Sequence, residues 1–222
     1  MSWVAAGDGI ALTIPAGLPA TDIPQGRVIE IGAAAQPVPA PVLPRAGRAV
    51  PALTQDAPPD RVSGWVRISI AGFLADHPGW DGVICAQQDA LSHWLHVSAD
   101  EVVSCQSFLT PRLVTALDGA AQAIPKAVAD SMSRPERVAA HLRVAELRGR
   151  AEAITGHLIG AELAAARPYW LGQQVALIGA TPLMAAYAEA LRAQGGPVSA
   201  AGAAKLLPKG LKALATALCL EV

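Results

Sequence analysis

The sequence predicts an α/β fold whose second half is mainly helical. Near residue 110 the composition changes: proline, glycine and β-branched residues dominate before it, and alanine, leucine and arginine at helical spacing dominate after it. Residues 174–218 follow the order strand, glycine turn, helix, strand, helix, which is typical of an α/β layer. With 222 residues, 52% hydrophobic and 16% charged, the chain can bury a sizeable core and is not of the disordered class.

The N-terminal part is predicted as strands and loops. Residues 3–6 and 10–14 form a short hairpin around residues 7–9, and residues 27–31 alternate as a strand does. Residues 36–60 contain seven prolines. Because proline lacks a backbone N–H, we expect this segment to be mainly extended loop with few ladder hydrogen bonds.

The middle of the chain is predicted to pass from helix to strands. Helical apolar spacing covers residues 67–77 and ends before Pro78. The short apolar run at residues 82–85 predicts a buried strand. Residues 94–97 and 101–104 are separated by turn-forming residues and predict a second hairpin.

The second half begins with three predicted helices. One starts at Thr110, with Pro111 in a first-turn position where proline is tolerated. The next starts near Ser133, and a third covers residues 151–166, with small residues that allow close approach of a neighbour.

The last predicted helices flank a short strand that begins at Val198. Thr181 is a suitable N-cap and Pro182 a suitable first residue for a helix over residues 183–194. The final helix, residues 203–218, is expected to be interrupted or kinked by the proline inside it.

Composition and charge exclude several function classes. With 17 basic and 18 acidic residues the formal net charge is −1, so no basic excess exists for a nucleic-acid backbone, and aromatics at 4% make base stacking unfavourable. The sequence has no uninterrupted apolar run of about 18 residues for a membrane span, and its N-terminus lacks the basic region of a signal peptide. We therefore expect a cytoplasmic protein with no nucleic-acid or membrane partner.

The cysteines and histidines do not predict a metal site. The three cysteines, Cys85, Cys105 and Cys219, are far apart and form no CxxC pair, which favours small buried side chains in a reducing compartment. His93 and His96 would point to opposite faces of the predicted strand, so they do not make a pair of ligands.

The turn at Gly179, Ala180 and Thr181 is the clearest candidate for ligand binding. It joins a strand to a helix N-terminus, where unpaired N–H groups and the positive end of the helix dipole can hold an anion or the edge of a nucleotide. The alternative is an ordinary strand-to-helix turn, since neither a P-loop nor a GxGxxG pattern is present.

Asp8 is the best-placed carboxylate and the candidate catalytic residue. It lies between two glycines after a predicted strand, where a carboxylate can hold a hydrated Mg²⁺ or orient a hydroxyl group. The alternative is a turn-forming aspartate that bonds its own backbone.

Several short motifs resemble the 2-dehydro-3-deoxygalactonokinase family, sugar-acid kinases of the sugar kinase and actin-like ATPase superfamily. The segments GHLIGAEL at residues 156–163 and VALIGATPLMAAY at residues 175–187 are similar to the C-terminal part of these kinases. Further similar positions are residues 51–60 (PGL…PPD), residues 63–66 (RGEE), Trp94 (PGTHSKW) and residues 108–113 (F-x-T and TGEL).

The resemblance implies an RNase H-like α/β fold. Residues 1–108 would then form a reduced N-terminal lobe with the central strands, and residues 109–222 a helical lobe on the nucleotide side. It also implies an ATP- and Mg²⁺-dependent kinase that moves the γ-phosphate to the 6-hydroxyl of 2-dehydro-3-deoxy-galactonate, with the turn at Gly179, Ala180 and Thr181 near the nucleotide.

The sequence departs from the family where the chemistry would lie. In the RGEE motif Ser63 replaces the arginine, and Trp65 and Val66 replace the two acids. In PGTHSKW only Ser92 and Trp94 remain. Because phosphoryl transfer needs charge stabilisation and a positioned hydroxyl, the alternative to an active kinase is a non-catalytic pseudokinase that acts by binding or regulation.

Two further expectations concern the sugar and the assembly. Asp89 and His93 could replace the lost sugar-side groups, the alternative being ordinary surface or strand residues. Helices 151–166 and 183–194 carry small residues that could pair two subunits in a homodimer, the alternative being packing on their own sheet.

Overall fold

The computed structural model describes residues 3–88, 90–179 and 181–221. Its strands are β1 (Trp3–Gly7), β2 (Ile10–Ile14), β3 (Val28–Pro37), β4 (Ala40–Pro41), β5 (Ala49–Asp56), β6 (Pro59–Val62), β7 (Gly82–Gln88), β8 (Leu91–Ser98), β9 (Glu101–Phe108), β10 (Val175–Gly179) and β11 (Val198–Gly202). Its helices are α1 (Gly64–Asp76), α2 (Thr110–Ala116), α3 (Pro125–Ser133), α4 (Val138–Leu147), α5 (Ala151–Ala165), α6 (Arg167–Trp170), α7 (Met184–Arg192) and α8 (Ala203–Ala217). Within the described residues, none of these helices combines the length and apolar character needed to cross a bilayer.

The strands form two sheets, which confirms the mixed α/β class. The five-stranded sheet has the order β2-β1-β3-β5-β6; β3 is parallel to β1 and β5, whereas β2 and β6 are antiparallel to their neighbours. The six-stranded sheet has the order β11-β10-β7-β8-β9-β4.

Most predicted elements lie where the sequence pattern puts them. Both predicted hairpins have their strands at β1–β2 and β8–β9, and α1, β7, α2, α5, β10, β11 and α8 are also present. One difference is that residues 110–133 contain two helices, because α3 begins anew with Pro125 at its first position. Another is that α4 follows a short 3₁₀ turn, Pro135–Arg137.

The proline-rich segment is not mainly loop, so that prediction was wrong. It contributes β4, β5 and β6. The prolines occupy positions where a ladder donor is not required: Pro41 ends β4, Pro59 opens β6, and Pro51 lies where the register between β3 and β5 shifts. Strand ends and bulges are the places where sheets accept proline.

The chain divides into two compact units. The first unit comprises the described residues up to Ile84, Leu95–Cys105 and those from Ala201 onward. The second unit comprises the described residues of Cys85–Trp94 and Gln106–Ala200. Several strands contribute residues to both. The lobe boundary expected at residue 108 stays a prediction.

The core of the first unit joins the five-stranded sheet to α1 and α8. Its fully buried members are Ala5, Ile14, Ile29, Ile31, Val50, Trp65, Ile68, Leu211, Leu214 and Ala215. The two helices meet backbone to backbone, because a methyl group on Gly72 would lie 2.0 Å from the Leu206 carbonyl oxygen and one on Gly210 would lie 1.9 Å from that of Ile68.

In the second unit α5 packs tightly on α3. A methyl group on Gly160 would lie 2.3 Å from the Val128 carbonyl oxygen, and one on Gly156 would lie 2.8 Å from the Ala127 methyl group. The small residues of α5 thus allow close packing on α3 within the unit. A homodimer through the alanine-rich helices stays a prediction.

Candidate functional site

Asp8 lies in a tight turn beside the N-terminus of α1. Asp8 and Gly9 have φ values of 51° and 76°, the left-handed conformation that a two-residue hairpin turn requires. The exposed Asp8 carboxylate accepts a 3.1 Å hydrogen bond from the Ser63 hydroxyl. Ser63 is the N-cap of α1, and its Oγ accepts from the Trp65 N–H. The negative charge of Asp8 therefore lies near the positive end of a helix dipole.

The first turn of α1 is apolar and buried. Trp65 and Val66 are 2% and 0% exposed, and the Trp65 indole donates a 3.0 Å hydrogen bond to the Gly7 carbonyl. No acidic residue lies in this turn, which falls within the described residues. The two positions that the resemblance compares with the acids of the RGEE motif are thus part of the core.

Arg67 follows in the same helix and forms hydrogen bonds with the proline-rich segment. Its buried guanidinium donates to the carbonyls of Val42, Pro51 and Pro41 at 2.7–3.0 Å and to Gln36 Oε1 at 3.0 Å. Burial lowers the pKa of Arg67 to about 10. The side chain satisfies carbonyls that irregular, proline-containing strands leave without a ladder partner.

In the second unit, Gly179 ends β10 against β7. Its φ is 150°, and a methyl group there would lie 2.6 Å from the Gln87 carbonyl oxygen. The close approach of this neighbouring strand accounts for the glycine without a ligand. Ala180 lies outside the described residues.

Thr181 does not cap the following helix, so the predicted N-cap was wrong. The helix begins at Met184 with Leu183 as its N-cap and without a capping side chain. The Thr181 hydroxyl donates instead to Gln87 Oε1. Gln87 Nε2 is buried and has no partner among the described residues.

A buried carboxylate, Glu162, lies at the centre of a polar cluster in the second unit. It is 3% exposed. Ser92 and the Trp94 indole donate to Oε1 at 2.7 and 2.8 Å, and the Tyr187 hydroxyl donates to Oε2 at 2.7 Å. Thr110 makes a further hydrogen bond. The acceptor capacity of the carboxylate is therefore used by neutral donors of this chain.

Burial dominates the electrostatics of this cluster. Desolvation raises the pKa of Glu162, although its hydrogen bonds act in the opposite direction. Burial and then the nearby Glu162 charge raise the pKa of Tyr187 and of the Cys85 thiol. Tyr187 and Cys85 are thus kept in their neutral forms at neutral pH, whereas the pKa of Glu162 is raised toward neutral pH.

The sugar-side candidates are only partly described. His93 is buried, and its Nδ1 shares a 2.6 Å hydrogen bond with the Ser107 hydroxyl. Asp89 lies outside the described residues. The structure thus ties His93 to the neighbouring strand β9.

Sequence reasoning singled out neither Glu162 nor Tyr187 as functional. The available signal was a glutamate in the otherwise apolar run of α5, together with Ser92 and Trp94, which survive from the family motif. Buried glutamates are rare unless they are paired.

Asp8 is the candidate ligand for a magnesium ion among the residues that the structure describes. Mg²⁺ is usually held by one or two carboxylates together with substrate phosphates. Asp8 supplies one carboxylate, and one of its oxygens already accepts from Ser63. In residues 3–88, 90–179 and 181–221 no three acidic, histidine or cysteine side chains form a group that could hold a metal ion.

Comparisons with known proteins agree on one family. A sequence model of the 2-keto-3-deoxy-galactonokinase family matches residues 27–214, which include His93, Gly179 and Thr181 but not Asp8. The chain is similar in fold to a crystal structure of a Sinorhizobium meliloti protein provisionally named a 2-dehydro-3-deoxygalactonokinase: the TM-score is 0.73, the identity 23%, and the match covers 91% of this chain and 82% of that chain. No curated protein matches the chain at a significant level.

Proposed function

The chain belongs to the 2-keto-3-deoxy-galactonokinase family, and from this premise we propose that it is a non-catalytic, sugar-acid-kinase-like member. It keeps the kinase fold and acts by binding or regulation, without transferring a phosphoryl group. The observation that carries this proposal is the burial of apolar side chains at the start of α1.

Trp65 and Val66 stand where the RGEE motif has two carboxylates. Both are buried in the first unit, Trp65 beside Ile31 and Ile68 in its apolar cluster. Phosphoryl transfer depends on metal ions, cations and a positioned hydroxyl that stabilise developing charge. Neither side chain can hold a metal ion or accept a proton, and the one N–H donor of the Trp65 side chain is bonded to the Gly7 carbonyl.

The polar groups that stand at the motif positions support the same function. Ser63 bonds Asp8 and the α1 backbone. Ser92 and Trp94 both donate to Glu162, and His93 shares its Nδ1 with Ser107. These groups hold the chain together, so a ligand would have to displace an internal hydrogen bond to use them.

We also infer that the six-stranded sheet is RNase H-like. Strands β7, β8 and β9 are neighbours in sequence and in the sheet, while β10 and β11, each followed by a helix, extend the sheet on the β7 side. This order supports the fold that the resemblance implies.

A second candidate is an active kinase of 2-dehydro-3-deoxy-galactonate, favoured by one observation. Gln87 Nε2 is a buried donor without a partner among the described residues, beside Thr181. Buried donors usually have an acceptor, so an oxygen atom of a ligand could accept the hydrogen bond from Gln87 Nε2. The candidate residues of this kinase would be Asp8 in the first unit and, in the second unit, Asp89, His93, Gly179, Ala180 and Thr181, with ATP and Mg²⁺ as cofactors.

A coupled assay with ATP, Mg²⁺ and 2-dehydro-3-deoxygalactonate separates the two candidates. We expect ADP release at the protein-free background and no phosphorylated product by mass spectrometry. A calorimetric titration of ATP, with and without Mg²⁺, measures nucleotide binding separately, and either result of that titration is compatible with a non-catalytic protein.

The control for any turnover is a matched pair of variants. Asp8→Asn removes the candidate carboxylate, whereas Asp118→Asn makes the same change at another exposed turn aspartate with positive φ, 53°. If the wild type and Asp118→Asn both phosphorylate the sugar acid and Asp8→Asn does not, the proposal is overturned in favour of the kinase.

A further inference from the structure

A cavity of about 370 Å³ lies among α3, α4 and α5 in the second unit. None of the residues considered above for ATP or for the sugar acid lines it. Its size falls within the range of small-molecule sites, roughly 300–1,000 Å³, and spaces between packed helices are common places for such sites. Apolar side chains such as Ile124 and Val144 form part of the lining.

Two histidines in the lining share one buried hydroxyl group. The Ser131 Oγ lies 3.2 Å from His141 Nδ1 and 2.9 Å from His157 Nδ1, and the two ring centroids are 4.7 Å apart. A hydroxyl carries one proton, so Ser131 can donate to one neutral ring while it accepts from the N–H of the other. The serine thus fixes how the two rings face each other.

The charged groups at the cavity are mainly basic. Lys126, Arg148 and Arg150 line it, and the one acid in the lining, Asp130, is paired with Lys126 at 3.3 Å. Neither Arg148 nor Arg150 forms an ion pair with any residue that the structure describes. Two exposed guanidinium groups are therefore free to bind an acid group in bidentate fashion.

The histidine pair responds to the charge in the cavity. Burial and then the neighbouring His141 lower the pKa of His157, while Asp130 and a hydrogen bond to the Ala127 carbonyl act in the opposite direction. An anion in the cavity would favour the protonated ring and offset this depression.

We propose that this cavity binds a small organic acid whose anionic group is held by Arg148 and Arg150. The acid is a carboxylate or a phosphate monoester on a short carbon skeleton, because the basic groups suit the anion and the apolar lining suits the carbons. The histidine pair takes a further polar atom of the ligand. This site is separate from the proposed function and does not depend on it.

Calorimetry and imidazole NMR on the whole protein test the site with four probes. Butanoate and monobutyl phosphate carry the acid on a short chain, butanamide is the neutral counterpart, and inorganic phosphate lacks the carbons. We expect at least one of the two organic acids to bind saturably and to shift the His141 and His157 resonances but not those of His93. We expect butanamide not to bind and inorganic phosphate to bind more weakly.

A pair of double variants assigns the binding to the two arginines. R148Q/R150Q should raise the Kd about tenfold or more, because each charge-assisted hydrogen bond to the acid is lost. R134Q/R137Q removes the same charge from two exposed arginines outside the lining and should change the Kd less than about twofold.

Three results would overturn the proposal. One is that neither organic acid binds saturably to the wild-type protein or shifts the two imidazoles. Another is that butanamide or inorganic phosphate binds as well as the acids. The third is an equal loss of affinity in both double variants. The wild-type NMR titration keeps the test valid even if a variant fails to fold.

Discussion

The start of α1 and the Glu162 cluster differ in the side chains that fill their buried positions. At the start of α1, Trp65 and Val66, which the resemblance compares with two acids of the family motif, are both core residues. Around Glu162, the motif residues Ser92 and Trp94 remain, and both donate to the buried carboxylate. The first region is thus apolar and part of the core, whereas the polar side chains of the second are bonded to one another.

This difference has an energetic basis. A buried carboxylate costs several kcal/mol unless donors surround it, so Glu162, its donors and their geometry are tied to one another. Side chains that contact only a ligand carry no such constraint on stability, and they can be replaced by apolar ones that add to the core.

The largest expected effect comes from placing an acid at the start of α1. Trp65→Glu should lower the free energy of unfolding by about 5 kcal/mol, because it removes a large buried side chain and places an unpaired charge in its site. Urea unfolding measures the loss. Trp65→Phe keeps a ring and loses mainly the hydrogen bond to Gly7, so about 1–2 kcal/mol is expected there. Wild-type stability of Trp65→Glu would contradict our description of this region as core.

The next effect concerns the cluster itself. Glu162→Ala should cost about 3–4 kcal/mol, because it leaves the buried donors of Ser92, Trp94 and Tyr187 without an acceptor. Thermal and urea unfolding of the variant give the value. Glu189→Ala, an exposed position in α7, is the matched control and should stay within about 0.5 kcal/mol of the wild type. Equal losses of unfolding free energy in Glu162→Ala and Glu189→Ala would contradict a stabilising role of the cluster.

A smaller effect is expected at the helix contact that supports Glu162. Gly160→Ala should destabilise the protein by about 2 kcal/mol, because its methyl group would lie 2.3 Å from the Val128 carbonyl oxygen. In Gly196→Ala the nearest atom would be 3.9 Å away, so little change is expected. If the two variants have the same midpoint in urea, α5 does not pack on α3 as closely as described.

The smallest effect is on how the free energy of unfolding changes with pH. Burial raises the pKa of Glu162 in the folded protein above its ordinary value of 4.5. Between these two pKa values the folded state binds the proton more readily, so this group's contribution to stability falls as the pH rises above 4.5. The lowered pKa of His157 acts in the opposite direction below pH 6.5. The difference in unfolding free energy between wild type and Glu162→Gln, followed from pH 4 upward, should isolate the first contribution; parallel curves would contradict it.

Local patterns predict local structure well in this chain. The Gly-Asp-Gly turn and the strands on either side of it follow directly from backbone preferences. The proline-rich segment was mispredicted because its strands depend on Arg67, 16–31 residues further along the chain, which satisfies their carbonyls. Single-residue preferences contain no such information.

The candidate site was predicted less completely than the fold. Asp8 was correctly placed in a turn, but its bond to Ser63 spans 55 residues. The Glu162 cluster joins residues up to 70 positions apart, and a lone glutamate in an apolar helix does not reveal its partners. Thr181 had the pattern of an N-cap, yet its hydroxyl donates to Gln87 instead. This tertiary hydrogen bond competes with the local bond to the helix backbone.

The crossing of α1 and α8 at Gly72 and Gly210 links the order of synthesis to the completion of the first unit. The ribosome produces the partner of α1 about 130 residues after α1 itself. Until then the apolar surface that Leu211 and Leu214 will cover is open to solvent and to chaperones. Because the second unit extends to Ala200, most of its residues are also produced before the helix that completes the first unit.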